Sequence, residues 1–209
     1  MINFLKSEQN TRIIDDPNQI AAIYKYWRFH IMVTMYIGYA VFFLTRKNLS
    51  YAMPEMIANL GLDKADIGMM GTLFYITYGC SKFFSGIVSD HSNPRYFMGI
   101  GLIMTGIINI LFGFSSSVIM LTTLWMLNAL FQGWGWPPCS KLLTTWYSRS
   151  ERGFWWSLWN TAHNVGGALI PLLVGYVTLH YSWRYGFIIP GILAVLAGLF
   201  LCWRHRDKP

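Results

Sequence analysis

Three cations interrupt apolar segments of this chain: Arg46 and Lys47 in a stretch beginning near Ile31, and Lys82 in one beginning near Ile67. A positive charge in bilayer hydrocarbon costs roughly 2.5–3.5 kcal/mol on insertion scales, so three uncompensated ones cost on the order of 7–10 kcal/mol. An Asp or Glu on a neighbouring helix is the usual compensation. The nine acids are Glu8, Asp15, Asp16, Glu55, Asp63, Asp66, Asp90, Glu151 and Asp207, and every one falls in a tail, a loop or a helix end. The missing counter-charge points to an anionic ligand bound part-way across the membrane. A guanidinium suits that task, because its planar fork donates two parallel hydrogen bonds to an oxyanion such as phosphate.

Helical spacing groups other polar residues with these cations. Tyr36, Tyr39, Phe43 and Arg46 share one helix face, and helix geometry turns Lys47 about 100° away from it. Tyr75, Tyr78, Lys82 and Ser85 repeat the pattern, and Asn160, His163, Asn164 and Gly167 form a further polar stripe. Asn128 and Gln132 share a face that runs into Gly133, Gly135, Pro137 and Pro138. Arg46, Lys82 and His163 are therefore expected to face one central cavity, with Lys47 outside it. Each residue also has a plainer reading. Lys82 can snorkel to the cytoplasmic interface near Asp90, and Lys47 to the outer one. A membrane histidine, like Asn128 and Gln132, can simply bond helix to helix. Tyrosine stripes on their own more often pack.

The elements that must carry these faces are six membrane-spanning helices, expected near 31–56, 66–89, 96–114, 118–146, 154–180 and 185–203, each long enough for about 30 Å of hydrocarbon. Of the 209 residues 54% are hydrophobic and only 12% charged, against about 25% charged in a soluble domain. The mean hydropathy is +0.37. The third and sixth spans carry almost no polar residues and read as outer, scaffold helices. The connections are too short for a soluble domain, so the chain divides into a tail over 1–30, a bundle over 31–203 and a short tail over 204–209. No cleavable signal segment is expected in the polar tail. The net charge of +7 is assigned to the positive-inside rule and not to nucleic acid. With both ends inside, eleven Lys and Arg fall on the cytoplasmic side and only two, Lys64 and Arg184, outside. Cys80, Cys139 and Cys202 have neither disulfide nor metal spacing and are expected reduced and buried.

With those residues in place the chain resembles the organophosphate:inorganic phosphate antiporters of the major facilitator superfamily. The run from Gly38 to Asn48 is similar to their first helix, Phe131 to Cys139 to their fourth, and Trp159 to Gly167 to their fifth. The loop from Ser89 to Arg95 resembles the superfamily loop between helices 2 and 3, with His91 where the motif usually has Arg. The flanks look most like the hexose-phosphate branch, including its membrane sensors. The resemblance implies an all-α, polytopic membrane protein: the six-helix N-terminal half of a major facilitator fold, built from two nested three-helix repeats. It makes Arg46 one of two arginines that hold the substrate phosphate. It ties Lys82 and His163 to phosphate binding and coupling, and puts Tyr39 and Gln132 near the site. Asp90, Arg95, Glu151 and Arg152 match gate and loop positions. Position 204 is where the loop between halves would begin.

The expected function is transport of a sugar phosphate, hexose 6-phosphate, in exchange for inorganic phosphate, by alternating access in the inner membrane. Substrate-facing residues would be Arg46, Lys82, His163, Tyr39, Tyr36, Tyr78, Gln132, Asn160 and Asn164, with Asp90, Arg95, Glu151 and Arg152 gating. The partners would be the phosphate ester, inorganic phosphate, the lipid bilayer and a second six-helix half. No cofactor and no metal is expected. The alternative is a membrane sensor of external hexose phosphate that signals to a partner kinase. An intramembrane enzyme fits poorly, since no acid in the spans could hold a metal and His163 has no adjacent nucleophile.

Overall fold

The computed structural model describes residues 16–204. The tail positions 1–15 and 205–209, with Glu8, Asp15 and Asp207, lie outside the described residues. Helix α1 runs Pro17–Leu60, α2 Lys64–Asp90, α3 Pro94–Phe114, α4 Val118–Gln132 and α5 Trp136–Trp146. Then come α6 Arg152–Asn160, α7 Ala162–Ile170, a π-helical turn Pro171–Gly175, α8 Tyr176–His180 and α9 Tyr185–Arg204. Grouped by direction these make six spans: α1, α2, α3, α4 with α5, α6 to α8, and α9. Four stretches are long and apolar enough to cross a membrane: Pro17–Leu60, Pro94–Phe114, Arg152–His180 and Tyr185–Arg204. Helix α2 has the length, but carries Lys64, Asp66, Lys82 and Asp90 among its glycines and serines. The fourth span is divided into helices of 15 and 11 residues.

Local chemistry sets these boundaries. The Asp16 side chain accepts from the Asn18 N–H at 3.0 Å and Pro17 occupies the first turn, where its missing N–H does no harm. Thus α1 starts well before Ile31, and within the expected tail over 1–30 residues 17–30 are helical. At 44 residues and 1.5 Å per residue, α1 is about 66 Å long, more than twice the hydrocarbon thickness. It ends at Gly61, the left-handed residue at φ 65° whose N–H bonds the Ile57 carbonyl. Asn93 caps α3 through the Arg95 N–H at 2.9 Å.

The break at Gly133–Gly135 follows from Pro137. Proline has no N–H, so the Gly133 carbonyl loses its helical donor. Ser85 of α2 supplies one instead, its hydroxyl donating to Gly133 O at 2.9 Å, and Ser81 donates to Leu130 O. These bonds fix the rotation of α2, with Tyr78 and Lys82 within about one turn of the two anchoring serines.

The third and sixth spans pack on each other through small residues. A Cβ on Gly106 would stand 2.5 Å from Gly191 O, and one on Gly198 would stand 2.8 Å from Gly99 O. Two apolar cores flank the middle. One holds Met35, Phe42, Met98 and Trp159, the other Phe74, Phe112, Trp125 and Phe187. The cysteines are free, as expected, but only Cys139 is buried; Cys80 is exposed on α2 and Cys202 half-buried.

Candidate functional site

Arg46 leaves α1 toward α2. Its guanidinium carbon lies 4.5 Å from the Tyr78 ring centroid and 4.9 Å from that of Phe43. The Nε–H donates to Gln132 Oε1 at 3.2 Å. Lys82 Nζ stands 5.9 Å from the same Tyr78 ring and 5.0 Å from that of Trp136. Tyr78 therefore lies between the two cations, whose charges its ring face attracts. On the other flank Phe43 meets His163, ring centroids 5.4 Å apart. Arg46, Lys82 and His163 thus share one face of the bundle through two aromatic rings. That face is open: Tyr75, Lys82, Asn160 and Asn164 are exposed. A cleft of about 540 Å³ continues from Lys82 past Trp136 and Ser140 to Lys141 and Asp90.

Lys47 departs from expectation. Its ammonium donates to Tyr75 Oη at 3.3 Å, at the outer end of the same stripe. The 100° turn from Arg46 carries it along the α2 flank, and the four-carbon stem does the rest. Tyr39 differs too. It is 7% exposed and packs on Trp159 and Phe43, so its ring belongs to the core beneath the face. Tyr36 bonds Thr161 Oγ1 at 2.9 Å, which ties α1 to the bend between α6 and α7. Gln132 is buried, and its Nε2 donates to Phe42 O and Thr45 Oγ1 at 3.1 and 2.9 Å. It supports Arg46 from beneath.

The four expected gate residues sit at helix ends: Asp90 closes α2, Arg95 lies in the first turn of α3, Glu151 precedes α6 and Arg152 opens it. Arg95 caps the end of α9, donating to Cys202 O and, at 3.0 Å, to Trp203 O. Arg152 closes the end of α5 through Thr144 O and Tyr147 O, both at 3.1 Å. Asp90 is exposed, and its backbone carbonyl accepts from Lys141, whose ammonium also takes Ser89 O and Ser92 O. Glu151 pairs with Arg28 at 2.5 Å. The Arg28 guanidinium is the main cause holding that carboxyl down at about 2, with hydrogen bonds from Trp155 and Ser148 adding to it. Tyr24, Tyr147 and Trp155 surround Arg28 at 5.3, 4.8 and 5.8 Å. Two phenols cross-link the same corner: Tyr24 donates to Trp146 O and Tyr147 to Arg28 O. Sequence reading missed this cage. Its signal was the start pair Asp16-Pro17, which continues α1 outward and sets Tyr24 and Arg28 four residues apart on one face.

Residues 35–209 match the Major Facilitator Superfamily. The chain belongs to that family. It is 60% identical over its full length to the membrane sensor protein UhpC of Escherichia coli (strain K12), covering 48% of that protein. It is 55% identical over 94% of its length to a probable hexose phosphate transport protein of Chlamydia trachomatis serovar D, covering 43% of it. The chain therefore spans about half the length of the curated relatives it matches. Among solved structures, a bacterial homologue of the human lysosomal transporter Spinster, in an inward-facing and unoccupied conformation, superposes with a TM-score of 0.78 at 20% identity. That match covers 88% of this chain and 44% of the other. The architecture is that of the N-terminal six-helix half of a major facilitator protein, as the sequence indicated.

Proposed function

We propose that this chain forms one half of a twelve-helix membrane carrier that exchanges a hexose phosphate for inorganic phosphate by alternating access. The observation that carries the reading is the stripe of Lys47, Arg46 and Lys82 along Tyr75 and Tyr78 on an open face, where none of the three cations forms an ion pair with an acid among the described residues. A phosphate monoester brings about −1.5 to −2 charge near neutral pH, which such a stripe can meet with a fork and point charges. His163, Asn160 and Asn164 on the adjoining helices would receive the rest of the substrate. Glycines 68, 79 and 86 on α2 and 167 and 175 on the fifth span face empty space. Small residues of this kind let helices approach closely, which supports a second six-helix bundle across the face. The Lys and Arg distribution supports both termini on the cytoplasmic side of the cell membrane.

The test is to compare Arg46→Lys with Arg46→Ala in the complete protein. Lysine keeps the charge and loses the planar fork, so both variants should abolish phosphate-ester binding to a similar degree. Near-normal binding by the lysine variant would reduce Arg46 to a point charge. The 209-residue chain alone should not exchange sugar phosphate, since alternating access needs two bodies to rock about the site. A sensor that signals to a kinase is the second reading, favoured by the 60% identity to a membrane sensor protein. Flux in liposomes separates the two: a carrier moves labelled hexose phosphate, while a sensor drives a kinase reporter without flux.

A further inference from the structure

The anion-facing arginine is the end of a longer polar chain. Pro190 lies inside α9 and leaves the Gly186 carbonyl without its helical donor. Asn48 of α1 donates Nδ2–H to that carbonyl at 3.4 Å and to Asn109 Oδ1 on α3 at 2.8 Å. Asn109 donates in turn to Thr105 O at 2.9 Å and to Asn128 Oδ1 on α4 at 3.2 Å. Asn128 donates to Thr45 O on α1 at 3.0 Å. Gln132, one turn on, donates to Phe42 O and Thr45 Oγ1, and its Oε1 accepts the Arg46 Nε–H. All four amides are 0–1% exposed.

The direction of this chain is forced. An amide oxygen and nitrogen are told apart only by their partners. Here each amide places one group against a backbone carbonyl, which only accepts: Gly186 O for Asn48, Thr105 O for Asn109, Thr45 O for Asn128 and Phe42 O for Gln132. Each NH₂ group is thereby assigned, and Gln132 must turn its oxygen to Arg46. Arg46 spends its Nε–H on that oxygen. The guanidinium, held between Tyr78 and Phe43, is left to present its two terminal nitrogens to the open face.

We propose that Gln132 and the Asn48–Asn109–Asn128 triad are positioning residues for Arg46, which fix its guanidinium to bind an oxyanion end-on through the two terminal nitrogens. None of the four touches the ligand. The inference rests on Arg46 as the anion site for what it positions, but the positioning can be read without any ligand. Buried amides joined this way polarise and stiffen one another. Replacing the three asparagines together removes both partners of each amide–amide bond and leaves Gly186 O without its side-chain donor, whereas replacing one also leaves its amide neighbours unpaired.

The experiment uses the complete protein in nanodiscs with ¹⁵N-labelled arginine. The Arg46 Nε–H resonance is identified by its loss in Arg46→Lys. Its hydrogen exchange is then compared in wild type, in Gln132→Leu and in the triple variant Asn48→Leu, Asn109→Leu, Asn128→Leu. Exchange should accelerate about tenfold or more in Gln132→Leu and by a smaller factor in the triple variant, as expected for loss of a bond to a charged donor. Far-ultraviolet circular dichroism should stay unchanged in the triple variant. Unaltered Arg46 exchange in both variants overturns the proposal, as does an accelerated exchange that spreads equally to Arg184 and Arg95, which would mark general loosening. A titration with inorganic phosphate forms a separate arm. If phosphate leaves the wild-type Arg46 resonances unmoved while the exchange pattern holds, the anion-site reading fails and the positioning stands.

Discussion

Gly166→Ala tests whether the fifth span and α1 meet backbone to backbone beside the candidate site. A Cβ at position 166 would stand 2.5 Å from the Ala40 carbonyl oxygen and 2.8 Å from the Phe43 Cβ. Ordinary contact begins at 3.4 Å, so the helices must separate by about 0.9 Å. Neither obstacle is the far end of a flexible side chain. Overpacking of this kind costs about 1–3 kcal/mol, and alanine returns about 1 kcal/mol over glycine in a helix interior. The net loss is roughly 0–2 kcal/mol, or up to about 8 °C in Tm for a chain of this size. The site should suffer more, because binding constellations need placement within about 0.5 Å and His163 sits one turn away on the same helix. Gly167→Ala is the matched control, with nothing within 4 Å of its Cβ. The assay is the pair of His163 imidazole ring-proton shifts, which report stacking on Phe43, together with Tm. Gly166→Ala should lose the ring-current shift and melt lower, while Gly167→Ala should do neither. Equal behaviour of the two variants refutes the close contact.

Three further outcomes are expected. Lys141→Met removes the ammonium that gathers three carbonyls at the end of α2. It should cost about 2 kcal/mol, read as a Tm lower by roughly 4–8 °C; an unchanged Tm contradicts the clamp. The Glu151 carboxyl, lowered in the folded chain from 4.5 to about 2, adds stability above its ordinary value and loses it as pH falls through about 2. Its ¹³C titration should have a midpoint near that lower value and move upward in Arg28→Met, whereas a midpoint near 4.5 in the unaltered chain removes the ion pair. Cysteines placed at 57–65 and 181–184 should label from outside the cell, and those at 147–153 should not; outside labelling of 147–153 reverses the orientation.

The six spans were legible because apolar runs of membrane length leave few alternatives. Their interruptions were less so. Gly133, Gly135, Pro137 and Pro138 marked the fourth span as unusual, but the break depends on Ser81 and Ser85 of another helix taking the freed carbonyls. The start of α1 was misplaced because residues 17–30 mix Asn, Gln, Lys, Arg and His with apolar residues, and that mixture was read as a tail; Asp16-Pro17 is a start signal that hydropathy ignores. In the site, Arg46, Tyr78 and Lys82 could be grouped because a cation and a tyrosine one turn apart share a face. Lys47 could not, since the reach of its stem and the side on which α2 packs decide its partner. Arg28 and Glu151 lie far apart in sequence, and nothing local to either announces the other. Asn109 is a single amide in a span that otherwise reads as scaffold, and it acquires meaning only beside Asn48 and Asn128.

Proline placement explains why the polar face has one fixed arrangement. Lipid offers no hydrogen-bond partner, so a carbonyl freed inside a span must find one within the protein. Pro137 frees Gly133 O and Pro190 frees Gly186 O, and in each case the new donor is a polar side chain on a different helix, Ser85 or Asn48. Ser85 sits three residues from Lys82 on α2, and Asn48 two from Arg46 on α1. Anchoring either residue sets the rotation of its helix, and hence the direction in which the neighbouring cation points. The two helices that carry the cationic stripe are thus indexed by defects in two others. A bundle held by apolar packing alone would tolerate small rotations of α1 and α2, because lipid and leucine offer no angular preference. The freed carbonyls remove that freedom, and Arg46 and Lys82 come to share one tyrosine ring.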